Sequence, residues 1–237
     1  MRHLKWFGLI AGFAFAAELS IGARAADDQQ KLDGRLDAAQ TVIQQVMSAP
    51  DKSVPESIAR RAVCIGVVPG MVKGAFVFGA EYGQGVVTCR TENGWSAPLF
   101  IRMAGGSVGF QIGGQGTDLV LVATNQKGMQ DLLRDKFKIG GDAAAAAGPV
   151  GRDAQASTDI AMKAELLTWS RSRGAFAGID LNGVSVSQNK EDTDQFYGTP
   201  HSANAILTGK VRAPEPAHSF LSTVKEYFGA ARNQASR

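Results

Sequence analysis

The chain has 237 residues, with 25 lysines and arginines against 22 aspartates and glutamates, and only two cysteines. Its first 25 residues read as an export signal: Arg2 and Lys5 precede an apolar run from Trp6 to Ala17, and Ala23-Arg24-Ala25 places small residues where a signal peptidase cuts. Without them the net charge falls to about +1, which excludes the broad basic excess of a nucleic-acid binder.

No cysteine stands at the expected cleavage point, so a lipid-modified N-terminus is not expected, and residues 26–237 are expected in the periplasm, with peripheral membrane association. That length suits one domain with a substantial core, and no Pro/Ser-rich linker divides it.

Residues 27–48 predict a helix, because Leu32, Leu36, Ala39, Ile43, Val46 and Met47 recur at spacings of three and four. Its other face mixes Asp33, Arg35, Asp37, Gln40 and Gln44. Two readings follow: a helix docked on its own domain, or one lying on a membrane through Leu32 and Leu36. Ser53-Val54-Pro55-Glu56 has the spacing of a capping box and opens a short helix to about Arg61.

From Ala62 onward, short apolar runs alternate with glycine. Strands are expected at 62–68, 75–82, 85–90, 98–103, 107–112 and 119–123, with turns at Gly83-Gln84-Gly85 and Glu92-Asn93-Gly94. Cys64 and Cys89 fall in two of these strands; a disulfide and a pair of buried thiols both fit. A helix over 127–137 follows Asn125 as cap, and Ala143 to Ala147 fits a short helix or a loop. Between Ser157 and Arg173 helix propensity competes with a strand leading into a hairpin. Residues 175–181 and 184–188 predict a second hairpin around Asn182-Gly183, followed by helices at 191–196, 203–207 and 215–228.

Catalytic chemistry is thinly supplied. Gly105-Gly106-Ser107-Val108-Gly109 satisfies G-x-S-x-G, with Asp180 and His201 following in hydrolase order. The apolar run after Ser107 and the glycines at 113, 114 and 116 predict strand rather than the helix that a nucleophile elbow needs. A serine esterase using Ser107 is therefore a minor rival. No phosphate-binding loop or dinucleotide fingerprint is present, His201 and His218 stand apart in sequence, and Glu191-Asp192-Thr193-Asp194 lacks the glycine of a calcium loop. No cofactor or metal is expected. Basic residues beside turns remain, and paired ones such as Arg171 and Arg173 suit a phosphate head group.

The ordered motifs Ile65-Gly-Val-Val-Pro-Gly70, Lys73-Gly74, Gly94-Trp-Ser-Ala-Pro98, Gly105-Gly-Ser-Val-Gly-Phe-Gln-Ile-Gly113, Gly148-Pro-Val-Gly-Arg152 and Ser170-Arg-Ser-Arg-Gly-Ala-Phe-Ala-Gly178 resemble the SYLF family, also called the Ysc84 actin-binding domain family. The resemblance spans about residues 40–228. It implies a lipid-binding domain: eukaryotic members bind phosphoinositides and some bind actin, whereas bacterial members are exported and described as lipid-binding. It also implies that Ser107 belongs to a structural glycine motif.

The expected fold is α+β, a curved, partly barrel-like antiparallel sheet with packed helices. The expected function is non-enzymatic phospholipid binding in the bacterial cell envelope. Arg60, Arg61, Lys73, Arg152, Arg171 and Arg173 are the head-group candidates, and Leu32 and Leu36 the apolar membrane contacts. A structural or protein-interaction module of the envelope is the alternative.

Overall fold

The computed structural model describes residues 10–49, 53–75, 78–108, 115–149, 164–172, 175–177, 181 and 183–229, with side chains undescribed at 10–25, 73–75, 78–79, 107–108, 115, 172 and 175–177. Ten strands among them form a curled, open half-barrel: β1 (Cys64–Ala75), β2 (Phe78–Thr91), β3 (Gly94–Trp95), β4 (Leu99–Val108), β5 (Gln115–Ala123), β6 (Lys136–Lys138), β7 (Ala145–Ala147), β8 (Leu166–Ser172), β9 (Ala175–Ala177) and β10 (Ser185–Gln188). The order is β6-β10-β4-β2-β1-β5-β8-β7, with β3 on β2 and β9 on β8. The sheet is mixed, since β7 pairs with β8 in parallel while the other described ladders are antiparallel. The α+β architecture follows the sequence; the parallel edge departs from it.

One face of the sheet carries Ile65, Val67, Val86, Phe100, Val120, Val122, Leu167 and Trp169 against α1 (Ile10–Met47) and α6 (His218–Phe228). Strand alternation puts Cys64, Val87, Ile101, Leu119 and Leu121 on the other face, packed with α3 (Gln126–Leu133) and α5 (Ala203–Leu207). Leu32, Leu36, Ala39, Ile43 and Val46 of α1 are buried, so the docked reading of this helix holds for its described face. Leu32 and Leu36 are core residues at 3% and 1% exposure, which corrects their assignment as membrane contacts. The 3.6-residue period identified the apolar stripe but not what would cover it.

Two polar ties hold α1 across the strands. Near its middle, Arg35 donates to Asp192 Oδ2 at 2.5 Å and Gln84 Oε1 at 2.8 Å, and lies 5.5 Å above the Phe100 ring; Asp192 belongs to α4 (Lys190–Tyr197). Ten residues later, Gln45 accepts from Arg171 of β8. The last carbonyls of α6 are held likewise: Arg90 Nη2 donates to Phe228 O at 2.6 Å and Trp95 Nε1 to Gly229 O at 2.9 Å, a cation at the negative end of a helix.

β1 does not stop at Val68. Its register shifts between Val67 and Val72, where Pro69-Gly70 forms a bulge with Gly70 at φ +58°, and the strand then continues to Ala75. The bulge presses Val68 and Met71 onto β2, where the sequence predicts a turn at Gly83-Gln84-Gly85. These residues lie inside one 14-residue strand instead, their glycines making room for the bulge: a Cβ on Gly85 would sit 2.1 Å from Val67 O, and one on Gly83 2.6 Å from Val68 Cγ1.

Other expectations change for comparable tertiary reasons. The strands expected at 98–103 and from 107 join into β4, because β2 pairs with it along its whole length. Ser53 makes no cap; α2 (Glu56–Arg61) starts after Pro55 without a side-chain acceptor. Asn125 does cap α3 through Gly128 N, but the helix ends at Leu133, because Lys136 to Lys138 pair with β10. Ala145–Ala147 is neither helix nor loop but strand, and Leu166–Ser172 resolves as strand β8. Among the described residues of the second hairpin, β9 pairs with β8 at one edge while β10 lies between β4 and β6, so the two strands do not pair with each other; residues 178–180 and 182 lie outside the described residues. A short 3-10 turn (Glu215–Ala217) precedes α6.

Cys64 and Cys89 face each other across β1 and β2 and are bonded, with Cα atoms 4.0 Å apart. At a sequence separation of 25, their reduction should lower stability by about 3 kcal/mol, read as a shift in urea midpoint with and without reductant. Gly85→Ala should cost about 3 kcal/mol by forcing the bulge off β2, whereas Gly116→Ala, whose nearest neighbour is 3.9 Å away, should stay within about 0.5 kcal/mol; denaturant titration of both checks the pair.

Candidate binding surface

β2 runs for 14 residues, or about 45 Å, while a helix packed across it is only about 10 Å wide, so α1 leaves much of the strand's length uncovered. Beyond α1 the same face stays open. Register places Gly116, Val72, Tyr82 and Ala104 side by side on β5, β1, β2 and β4, with Ala80 and Gly106 paired in the next row outward. All are exposed; Val72 at 52% and Tyr82 at 48% are the large apolar side chains most open to solvent among the described residues. The row is uncharged and nearly flat, since glycine and alanine flank the two larger side chains. The sequence reading missed it by ending β1 at Val68: the bulge changes the parity, so Val72 falls on the face of Val67.

Asp118 borders this row. Its Oδ1 accepts Gly70 N–H at 2.9 Å, and its Oδ2 faces Arg171 Nη1 at 3.6 Å. Arg171 therefore ties α1, β8 and the β1 bulge together, as well as standing at the open end. Lys73 pairs in register with Glu81 and Gln115 at the same end; its side chain lies outside the described residues. Arg60 and Arg61 are exposed on the last turn of α2, beside the Cys64 end of β1, and Arg60 pairs with Glu56. Arg152 and Arg173 lie outside the described residues. The structure thus places Lys73 and Arg171 at one end of the sheet and Arg60 and Arg61 at the other.

Ser107 lies within β4, paired with Gly79, rather than on a strand-to-helix turn; Asp180 is outside the described residues. The esterase reading lacks its elbow. Among the described residues no cluster of three or more His, Cys, Asp or Glu is placed to hold a metal, and no helix is long and apolar enough to cross a membrane.

One buried carboxyl pair stands out electrostatically. Asp131 of α3 has a side chain 2% exposed and an Oδ2 without a hydrogen-bond donor; Glu165, before β8, is 8% exposed, accepts Ala144 N–H at 2.6 Å and pairs with Lys127. Burial, reinforced by the Glu165 carboxylate, pushes Asp131 above the ordinary carboxyl value. Burial acts on Glu165 in the same direction, but the Lys127 ammonium and the Ala144 N–H outweigh it and hold this carboxyl below its ordinary value. The group lies under α3 and packs that helix against β8. A raised folded value means that the ionised Asp131 costs stability as pH climbs through that value. Asp131→Asn should therefore stabilise the fold at pH 7 to 8 by about 1 kcal/mol. The gain should fade as pH drops below the Asp131 value, and urea midpoints across the pH range measure it.

Residues 104–227, from the second half of β4 into α6, match the family described as Ysc84, Las17-binding protein actin regulator. The chain is 32% identical over 180 residues to LAS seventeen-binding protein 3 of Saccharomyces cerevisiae, covering 74% of this chain and 39% of that protein. It is 33% identical over 192 residues to SH3 domain-containing YSC84-like protein 1 of Rattus norvegicus, covering 80% and 56%, and 34% identical over 183 residues to that of Xenopus laevis, covering 76% and 54%. It spans less than two thirds of each relative's length, and none of their names carries an enzymatic activity. On a match that includes β5, β8, β10 and the helices around them, this chain belongs to the Ysc84 family.

Proposed function

We propose that this protein is a non-enzymatic phospholipid-binding module of the bacterial cell envelope, exported by its first 25 residues to the periplasm and held peripherally on membrane. The observation that carries the reading is the exposed Val72–Tyr82 pair on a sheet face that α1 leaves uncovered, with Arg171 of β8 toward the same end of the sheet. An amphipathic ring on an apolar bed suits the boundary between head groups and acyl chains. This contact replaces Leu32 and Leu36, which the core occupies.

Magnitudes make the charges necessary. Burying two such side chains yields about 3–5 kcal/mol, which alone corresponds to a dissociation constant near the millimolar range. Each Lys or Arg near an anionic surface adds about 1 kcal/mol and brings salt sensitivity. Arg60, Arg61, Lys73, Arg152, Arg171 and Arg173 are the head-group candidates, of which Lys73 and Arg171 share the sheet end with the apolar row.

A second reading, an interaction module for a protein partner, draws on the family's description as a Las17-binding protein and actin regulator and on the name of the yeast LAS seventeen-binding protein 3.

Vesicle co-sedimentation of the protein across lipid compositions and salt concentrations separates the two. Binding should require anionic lipid and weaken with salt. Val72→Ser with Tyr82→Ser should reduce it about tenfold or more, while Arg60→Glu with Arg61→Glu should leave most of it. Absence of binding to every composition would sink the lipid reading and favour the protein-partner one.

A further inference from the structure

His201 and His218, distant in sequence, meet at one pocket. It has a volume of about 770 Å³ and is lined by the last residue of α4, by His201 and Ala205, and by the segment joining α5 to α6. Tyr197, His201, Lys210, Arg212, Glu215 and His218 supply its polar lining. The Tyr197 hydroxyl donates to Pro98 O at 2.7 Å, and the His201 ring stands edge-on to the Tyr197 ring at 5.4 Å, so an aromatic wall is fixed in place. Val211, Ala213 and Pro214 give the floor an apolar patch.

The backbone carrying the cations is held at both ends. Lys210 N donates to Ala205 O at 2.9 Å, and Ala217 N donates to Pro214 O at 3.0 Å. Gly209, at φ +79°, lies against Thr91 at the closed end of β2. Lys210 and Arg212 are exposed and make no ion pair among the described residues, so two cations and two imidazoles face the cavity with Glu215 as its one carboxylate.

We infer that this pocket binds a phosphomonoester with a small hydroxylated body. The Arg212 guanidinium and the Lys210 ammonium provide the fork and the point charge that a phosphate dianion accepts from, and the imidazoles add N–H donors. The cavity is far larger than a bare anion and falls within the range of pockets that take small organic ligands. The body of the ligand rests on Tyr197 and Val211, and Glu215 accepts from a hydroxyl. This site is separate from the membrane surface proposed above: Thr91 and Pro98 lie at the ends of β2 and β4 opposite to Phe78 and Val108. Loss of one therefore leaves the other measurable.

The ester could be free in solution or borne by a lipid, and three probes separate these sources: inorganic phosphate, glycerol 3-phosphate and a short-chain phosphatidic acid below its micellar concentration. Proton NMR of the two histidine rings and calorimetry on the whole protein provide the readouts. Saturable one-to-one binding of glycerol 3-phosphate, tighter than that of phosphate and shifting both rings, supports the inference with a soluble ligand. Binding of phosphatidic acid alone supports it with a lipid-borne one. Lys210→Ala with Arg212→Ala should weaken either by at least tenfold; Lys210→Arg should retain it, and Val72→Ser with Tyr82→Ser should not alter it. No ring shift with any probe, or binding unchanged in the Lys210/Arg212 double variant, overturns the inference.

Discussion

The placement of α1 across the strands sets what the rest of the molecule can do. Its buried stripe, Leu32 through Val46, supplies much of the core on one sheet face, and its position is fixed by Arg35 near the β4 side and Arg171 at β8. A helix crossing strands covers a band set by its own width, not by the length of the strands. The four longest strands extend past that band, and their far ends must either expose side chains or lack them. This chain does both: glycine and alanine occupy most of the outer positions, and Val72 and Tyr82 project from between them. Arg35 is a partly buried cation with a carboxylate, an amide and an aromatic ring around it, an arrangement that favours one helix position over neighbouring ones.

The periodic and locally coded features were legible in the sequence. Spacings of three and four marked α1, Asn125 marked the start of α3, and Glu92-Asn93-Gly94 marked the turn into β3, because each depends on side chains within a few residues. Features that depend on contacts across the sheet were not. Gly83 and Gly85 read as a turn because glycine permits one, yet their requirement is space for Val68 and Met71 on the next strand. Asn182-Gly183 read as a hairpin, yet the strands on either side belong to opposite parts of the sheet. The apolar row was hidden for the same reason: only a bulge closed by Asp118, 48 residues away from Gly70, returns Val72 to that face.

Glycine abundance and G-x-S-x-G admit two physical accounts that local sequence does not separate. A nucleophile elbow needs a strand ending sharply in a helix so that the hydroxyl is exposed with oxyanion donors beside it. Here β4 runs straight through Ser107, and its backbone groups enter a ladder with β2. Backbone groups committed to a ladder cannot serve as oxyanion donors. The buried Asp131–Glu165 pair carries the electrostatic signature often found at catalytic sites, opposed shifts in neighbouring carboxyls. Its position under α3, with Lys127 and Ala144 as partners, gives it a packing role instead.

The two ends of the long strands differ in how firmly they are held. At the Cys64 end lie the disulfide, the Arg90 and Trp95 bonds to the end of α6, and the buried Thr88–Ser96 contact at 2.7 Å. Toward the other end the described residues Ala80, Ala104, Gly106 and Gly116 are small and exposed, so opening at these positions disrupts few buried contacts. Local stability should decline along the strands from the bonded cysteines toward the apolar row. That gradient suits a binding surface. On the membrane reading proposed above, the firmly held end would preserve the fold while the outer strands adjust their twist to the lipid surface, and the Asp118–Gly70 and Asp118–Arg171 contacts lie between the two ends.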